Sequence, residues 1–343
     1  MIQTPIETAP APGEAIEVAD GVLWLRVPLP MALDHVNAYA LRDAAGEGWT
    51  LIDTGLDTRK TRALWEAAMA GPLAGLPVTR LVVTHHHPDH VGLAGWFQQA
   101  GAQLWMTRTA WLFARMLTLD EQAVPTSETL AYWQSAGMEP ETFARRRAER
   151  PFNFADVVHP MPLGFTRLRD GGTIEMGGRT WDIRFGQGHA PDHATFWSRD
   201  DALVIGGDQL LATISPNLGV YATEPGADPV AEWLESCAGF RPHARDDQLV
   251  LPGHKLPFTG LPARLEQLIA NHHGALERLR THLASGEKTA AECFAPLFKR
   301  RIDAGTYGLA LVEAVAHLNH LHAIGAVTRR RRADGAWAYR LSD

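Results

Sequence analysis

The stretch Thr84-His85-His86-His87-Pro88-Asp89-His90 places four imidazoles and a carboxylate within one short loop. Imidazole and carboxylate are the preferred ligands of zinc and similar divalent ions. The run follows an apolar segment, Leu81-Val82-Val83, that reads as a strand, and it precedes a helical pattern whose first turn begins at Pro88. In a loop, His85 and His87 can point the same way, while Asp89 and His90 at the helix start can face a neighbouring point. One segment can therefore serve two adjacent metal positions. Such a density of ligands rarely arises as solvated surface, so a metal loop is preferred over a histidine-rich loop without metal.

Working outward, the same setting recurs. Asp53 follows the run Trp49 to Ile52, in Asp53-Thr54-Gly55. His189 follows Trp181 to Phe185, in Gly188-His189-Ala190-Pro191-Asp192-His193. Asp208 follows Ala202 to Ile205, in Gly206-Gly207-Asp208, and His254 follows Leu249 to Leu251, in Pro252-Gly253-His254. Each lies just past the carboxyl end of an expected strand, where α/β sheets place their ligand sites. One such residue alone is more often structural; their joint occurrence carries the reading. Further strands are expected at Leu23 to Val27, Val36 to Leu41 and Leu104 to Met106, with helices at Asp57 to Ala70 and Val91 to Ala100 between them. Strands interleaved with helices indicate a layered α/β domain.

A helix-rich block, about 107–150, interrupts this alternation with helices expected at Thr109 to Leu119, Ser127 to Ala136 and Pro140 to Arg150. It reads as an insertion that could cover a substrate site. After Pro262 the pattern turns helical: Ala263 to Ser285, Thr289 to Arg300 and Tyr307 to Ala323. A hairpin over Gly325 to Leu341 follows, turning at Ala333-Asp334-Gly335. The expected division is a catalytic domain over 1–262 and a helical, winged-helix-like domain over 263–343. The net charge of -7 argues against a general nucleic-acid binder. The two cysteines, Cys237 and Cys293, match no metal or redox spacing and read as reduced thiols. Residues 1–20 lack a basic segment followed by an apolar run, and no stretch reaches the length of a membrane span. A cytoplasmic protein without membrane contact is the default expectation.

Five segments in order, Leu51-Ile52-Asp53-Thr54-Gly55, Thr84 to His90, Gly188-His189, Gly207-Asp208 and Pro252-Gly253-His254, resemble a metallo-β-lactamase-fold hydrolase of the glyoxalase II-like branch. The resemblance implies an αββα fold. It implies His85, His87 and His189 on one metal ion, Asp89, His90 and His254 on a second, and Asp208 bridging the two. It places Asp53 behind a ligand histidine as its hydrogen-bond partner. An aspartate at 208, with no cysteine in that role, resembles the two-metal hydrolases more than the lactamases proper. The C-terminal part, with Ile214-Ser215-Pro216-Asn217, resembles a subgroup with a winged-helix-like tail. Asp192 departs from the glycine common there, with an altered loop or an acceptor for His193 as the consequences to look for.

Two divalent ions, zinc first and iron or manganese as alternatives, would lower the pKa of a shared water and clamp an oxyanion. The expected reaction is hydrolysis of a small-molecule thioester, or else of another ester or a lactone, with Asp89 and Asp208 at the reacting centre. His193 reads as a hydrogen-bond partner near the metals, with proton relay the other role. A metal-dependent ribonuclease holding RNA on its tail is the alternative reading. The basic run Arg329 to Arg332 is more simply a solvated wing or a homodimer contact than a nucleic-acid surface. Arg145-Arg146-Arg147 and His272-His273 read as a solvated helix face and as structural histidines.

Overall fold

Apolar runs become the strands of two mixed sheets in the computed structural model, which describes residues 1–298 and 301–342. In the first sheet lie β1 (Ile16–Ala19), β2 (Val22–Pro28), β3 (His35–Arg42), β4 (Trp49–Ile52), β5 (Val78–Val82), β6 (Gln103–Thr107) and β7 (Thr166–Leu168). They sit in chain order, antiparallel as far as β4 and parallel from β4 onward. The second sheet holds β8 (Thr173–Met176), β9 (Arg179–Gly186), β10 (His193–Ser198), β11 (Leu203–Gly207) and β12 (Leu249–Pro252) in the order β12-β11-β10-β9-β8. Only β11 and β12 run parallel within it. Sequence patterning does not anticipate β1, β7, β8 or β10. The first three are short, β7 and β8 with exposed residues between few buried ones, and β10 begins directly on a turn that reads as loop.

The chain packs as two units. The first comprises 1–121, 152–216 and 243–264, and the second 122–151, 217–242 and 265–343. In the first, Trp24, Leu41 and Ile52 of one sheet pack with Trp181, Phe196 and Leu251 of the other in a sheet-on-sheet core. The far face of the first sheet is covered by α1 (Arg59–Ala70), α2 (Pro88–Val91), α3 (Ala94–Gln99) and α4 (Arg108–Leu119). Trp65 on α1 is fully buried, meets Phe97 edge-to-face at 5.3 Å and donates its ring N–H to the Thr54 carbonyl at 2.7 Å.

The single helix expected over 91–100 is broken into α2 and α3. The His90 carbonyl, which a continuous helix would bond four residues on, instead accepts from Thr54 N at 2.9 Å and Thr54 Oγ1 at 2.8 Å. The same hydroxyl accepts from Leu93 N at 3.0 Å, so one threonine replaces a turn of the ladder. The break lets the Asp53–Gly55 turn sit against α2.

The second unit contains α5 (Ser127–Ser135), α6 (Pro140–Ala148), α7 (Pro229–Phe240), most of α8 (Leu261–Leu283), α9 (Phe294–Phe298), α10 (Tyr307–Ala323) and the hairpin β13 (Val327–Arg331)–β14 (Trp337–Leu341). The helical segment 107–150 is thus shared between the units, α4 in the first and α5 and α6 in the second. The helix expected over 289–300 is a 3-10 turn at Ala291–Cys293 followed by α9, and its last two positions lie outside the described residues. α10 buries residues on every face, as a central helix must. Cys237 and Cys293 are both buried. Among the described residues no helix is long and apolar enough to cross a membrane.

Truncating Trp65 to alanine removes a full indole and orphans the Thr54 carbonyl, and a loss of about 3–5 kcal/mol is expected. A lowered urea midpoint measures it. A second expectation concerns His272 and His317, whose rings stack at 5.4 Å with Nδ1 and Nε2 3.3 Å apart. His317 Nδ1 donates to the Glu313 carbonyl, so its Nε2 accepts from His272. Burial, then the neighbouring imidazoles, holds His272 down at about 3; burial holds His317 down at about 4. Both stay neutral when folded but charge when unfolded, so stability is complete above pH ~6.5 and falls as pH drops towards 4. The loss should approach ~1.4 kcal/mol per pH unit per histidine. A His272→Gln, His317→Gln variant whose midpoint shows the same slope between pH 7 and 4 would contradict this origin.

Candidate metal centre

The carboxyl ends of β4, β5, β9, β11 and β12 all deliver the site, and both sheets contribute. Backbone bonds lock these ends together: Ala194 N to Thr84 O at 2.8 Å, Gly253 N to Gly207 O at 2.7 Å and Asn37 N to Gly253 O at 2.6 Å. The approach is close enough to demand glycine at two positions. A Cβ on Gly253 would collide with Asp208 Oδ1, and one on Gly207, which has φ +48°, would come within 2.5 Å of His193 Cε1.

All seven candidate ligands are brought together, in three groups of donor atoms: His85, His87 and His189; His85, His90 and Asp208; and Asp89, His90 and His254. His87 Nδ1 lies 3.0 Å from both His85 Nε2 and His189 Nε2. Asp208 Oδ2 stands 3.5 Å from His189 Nε2 and 3.1 Å from His254 Nε2, so its carboxylate reaches both sides of the cluster. Asp89 Oδ2 is 3.4 Å from His254 Nε2 and 3.7 Å from His90 Nε2. Donor atoms held ~2.0–2.2 Å from one ion at tetrahedral angles are themselves ~3.3–3.6 Å apart, and the observed spacings bracket that range.

Hydrogen bonds behind the cluster select the tautomers. Asp53 accepts from Thr84 N at 2.8 Å, Thr84 Oγ1 at 2.9 Å and His90 Nδ1 at 2.8 Å. With its proton committed to Asp53, the Thr84 hydroxyl accepts from His85 Nδ1 at 2.9 Å. His254 Nδ1 donates to the His35 carbonyl at 2.7 Å. In each case the Nε2 lone pair is left facing the cluster. His90 Nε2 and Asp208 Oδ1 are buried, 3.3 Å apart, and neither makes a hydrogen bond.

The electrostatics split the same way. Burial, reinforced by the adjacent imidazoles, holds His85 and His87 well below the usual histidine range. Burial opposes charge on His90 and His254 too, but Asp208 and Asp89 beside them raise both, His254 to about 10. The Asp208 carboxyl is held well down by His254 and His90 against the cost of burial. Neutral imidazoles on one side and buried carboxylates demanding positive charge on the other suit divalent cations.

The remaining residues are placed as follows. His193 Nε2 accepts the Asp208 amide at 3.1 Å, and its ring stacks on His85 at 4.5 Å. Asp192 does not bond His193. It adopts φ +51°, and its carboxylate accepts from Thr109 Oγ1 and from Gln187 Nε2, bracing the loop. His86 turns away, its ring 5.0 Å from Phe113 and 6.4 Å from Phe154. Three supports escape the sequence reading: Thr84 as a relay, the His35 carbonyl, and Asn37, whose amide donates to the Pro252 and Lys255 carbonyls. Asn37 left a signal, a polar residue inside an apolar strand.

Residues 31–254 match the family model for the metallo-beta-lactamase superfamily, and 276–342 match one described as metallo-beta-lactamase-like, C-terminal domain. The probable metallo-hydrolase YqjP of Bacillus subtilis (strain 168) is 27% identical over 319 residues, 90% of this chain and 94% of that one. The solved structure of a beta-lactamase domain protein from Burkholderia ambifaria is 36% identical with a TM-score of 0.92, covering 99% of this chain and 98% of that one. A metallo-beta-lactamase family protein from Thermus thermophilus is 30% identical with a TM-score of 0.79, covering 95% of this chain and 100% of that one.

Replacing Asp53 with asparagine keeps the shape but offers His90 Nδ1 an amide in place of a charged acceptor. Metal affinity should fall about 10–100-fold, read by competition with a chromophoric chelator. Unchanged affinity would remove Asp53 from this role.

Proposed function

This chain belongs to the metallo-beta-lactamase superfamily and has its α/β fold, and from that premise we propose that it is a two-metal hydrolase of a small-molecule thioester or related ester or lactone. The observation that carries the reading is Asp208, whose one carboxylate oxygen stands within 3.5 Å of a histidine from each side of the cluster. His85, His87 and His189 would hold one ion, Asp89, His90 and His254 the other, and Asp208 would bridge them. Bound there, divalent ions (zinc first, iron or manganese with the same ligands) supply a water of lowered pKa and a Lewis acid for a carbonyl oxygen.

The chain's own groups do the rest. Asp53, Thr84 and the His35 carbonyl hold three ligand imidazoles in the tautomer that binds metal. His193 spends its Nε2 lone pair on the Asp208 amide, which supports a positioning role for the Asp208 loop over proton relay. Asp89 is the more exposed of the two carboxylates, its side chain 20% accessible against 7% for Asp208, and is the better placed to take a proton from an entering water. An aspartate at 208 supports the glyoxalase II-like branch, and helices followed by a basic hairpin support a winged-helix-like tail.

Ester chemistry is preferred to ribonuclease action because half of the basic run is neutralised within the second unit. Arg330 pairs with Glu287, and Arg332 with Glu292 and Asp334.

The test is a hydrolysis screen of acyl-CoA thioesters, lactones and bis(p-nitrophenyl) phosphate on metal-analysed protein. Thioester or lactone turnover is expected, falling on the order of 10³-fold or more in His85→Ala and Asp208→Ala together with bound metal. Full turnover by a metal-free variant would end the proposal, and turnover of the phosphodiester alone would move it to nuclease chemistry.

A further inference from the structure

We propose that the second unit carries a binding site of its own, for a small organic molecule with an oxyanion head, phosphate or carboxylate, in the cavity under its hairpin. The cavity is about 420 Å³, within the size range of small-molecule sites. Its walls come from α5, α10, the 222–226 segment and β13–β14, and include Tyr132, Asn319, Arg329, Arg331, Trp337 and Tyr339.

Strand alternation sorts the four consecutive arginines of β13 and the residue after it. Arg330 and Arg332 face acids, with Arg330 Nε 2.8 Å from Glu287 and Arg332 Nη2 3.1 Å from Asp334. Arg329 and Arg331 line the cavity instead. Their guanidinium carbons lie 4.5 and 4.2 Å from the centre of the Trp337 ring, so one indole holds both. Arg331 also donates to the Gly335 carbonyl, and among the described residues neither arginine has a carboxylate in salt-bridge contact. The one acid on the lining, Glu128, accepts from Ser127 Oγ.

In an acidic chain, two guanidiniums fixed on a shared ring and left without carboxylates leave the cavity a net positive charge. Guanidinium forks fit phosphate and carboxylate oxygens. The apolar wall from Ala131, Ala136 and Val315 suits a hydrocarbon body behind that head. A concave pocket with two arginines that no carboxylate neutralises favours a small molecule over an RNA strand, which would need the outer arginines that acids already occupy.

The experiment is calorimetry on the full chain at low salt with 1-naphthyl phosphate, 1-naphthoate, neutral 1-naphthol and a twelve-residue uridine oligonucleotide. Saturable binding of either anion is expected, at least ~10-fold tighter than naphthol. The Arg329→Gln, Arg331→Gln double variant should lose that advantage, whereas Arg330→Gln should keep it. Should the double variant fail to fold, Arg331→Gln alone, on an exposed strand position, serves with the same expected loss. Which anion binds better identifies the head group. Equal binding of naphthol and both anions, no anion binding at millimolar concentration, or full binding by the arginine variants would overturn the proposal. Oligonucleotide binding lost in the double variant, without small-anion binding, would overturn it in favour of a nucleic-acid surface.

Discussion

The Asp53 carboxylate, buried and accepting three hydrogen bonds, is the contact on which the rest of the site depends. It ties the end of β4 to the loop after β5 and to the first turn of α2. Its backbone sits at φ +59°, a conformation aspartate tolerates better than most residues. The strain is held by what surrounds it, since Thr54 next in sequence takes over the His90 carbonyl and splits the helix. Through Thr84 the same carboxylate acts on His85. Two candidate ligand histidines therefore take their orientation from one buried anion.

That arrangement is costly unless a cation completes it. Burying Asp53, Asp208 and a row of imidazoles away from water is unfavourable for each group taken singly. The donor atoms of the imidazoles, Asp89 and Asp208 lie within 4.8 Å of one another in each group, so positive charge placed among them would offset the burial of the carboxylates it faces. The glycines at 207 and 253 serve the same end by letting backbone approach where a side chain would displace the acid or the ring.

The second unit shows the same logic on a smaller scale. Its basic run is continuous in sequence but divided in space. Alternation along β13 and the residue after it sends two arginines to acids and two to an indole beside a cavity. A charge run that reads as a uniform solvated wing thus has two faces with different chemistry.

The candidate ligand set was legible in the chain because each member follows an apolar run long enough to be a strand, beside a glycine or proline that marks a turn. Most strands and the three helices of the 107–150 segment were legible for the same reason, local periodicity. What sequence order could not supply were distances between segments far apart in the chain. Asp208 reaching two histidines and Thr54 breaking a helix are contacts between the ends of different strands of one sheet, and His35 lending its carbonyl to His254 is made only when the two sheets close on each other. Nor could it show that Asp192 braces Thr109 and Gln187 instead of His193, or that neighbouring arginines part company. Sequence determined which chemical groups are present and on which elements; tertiary structure alone decided their partners, because hydrogen-bond direction and desolvation depend on packing that no local pattern encodes.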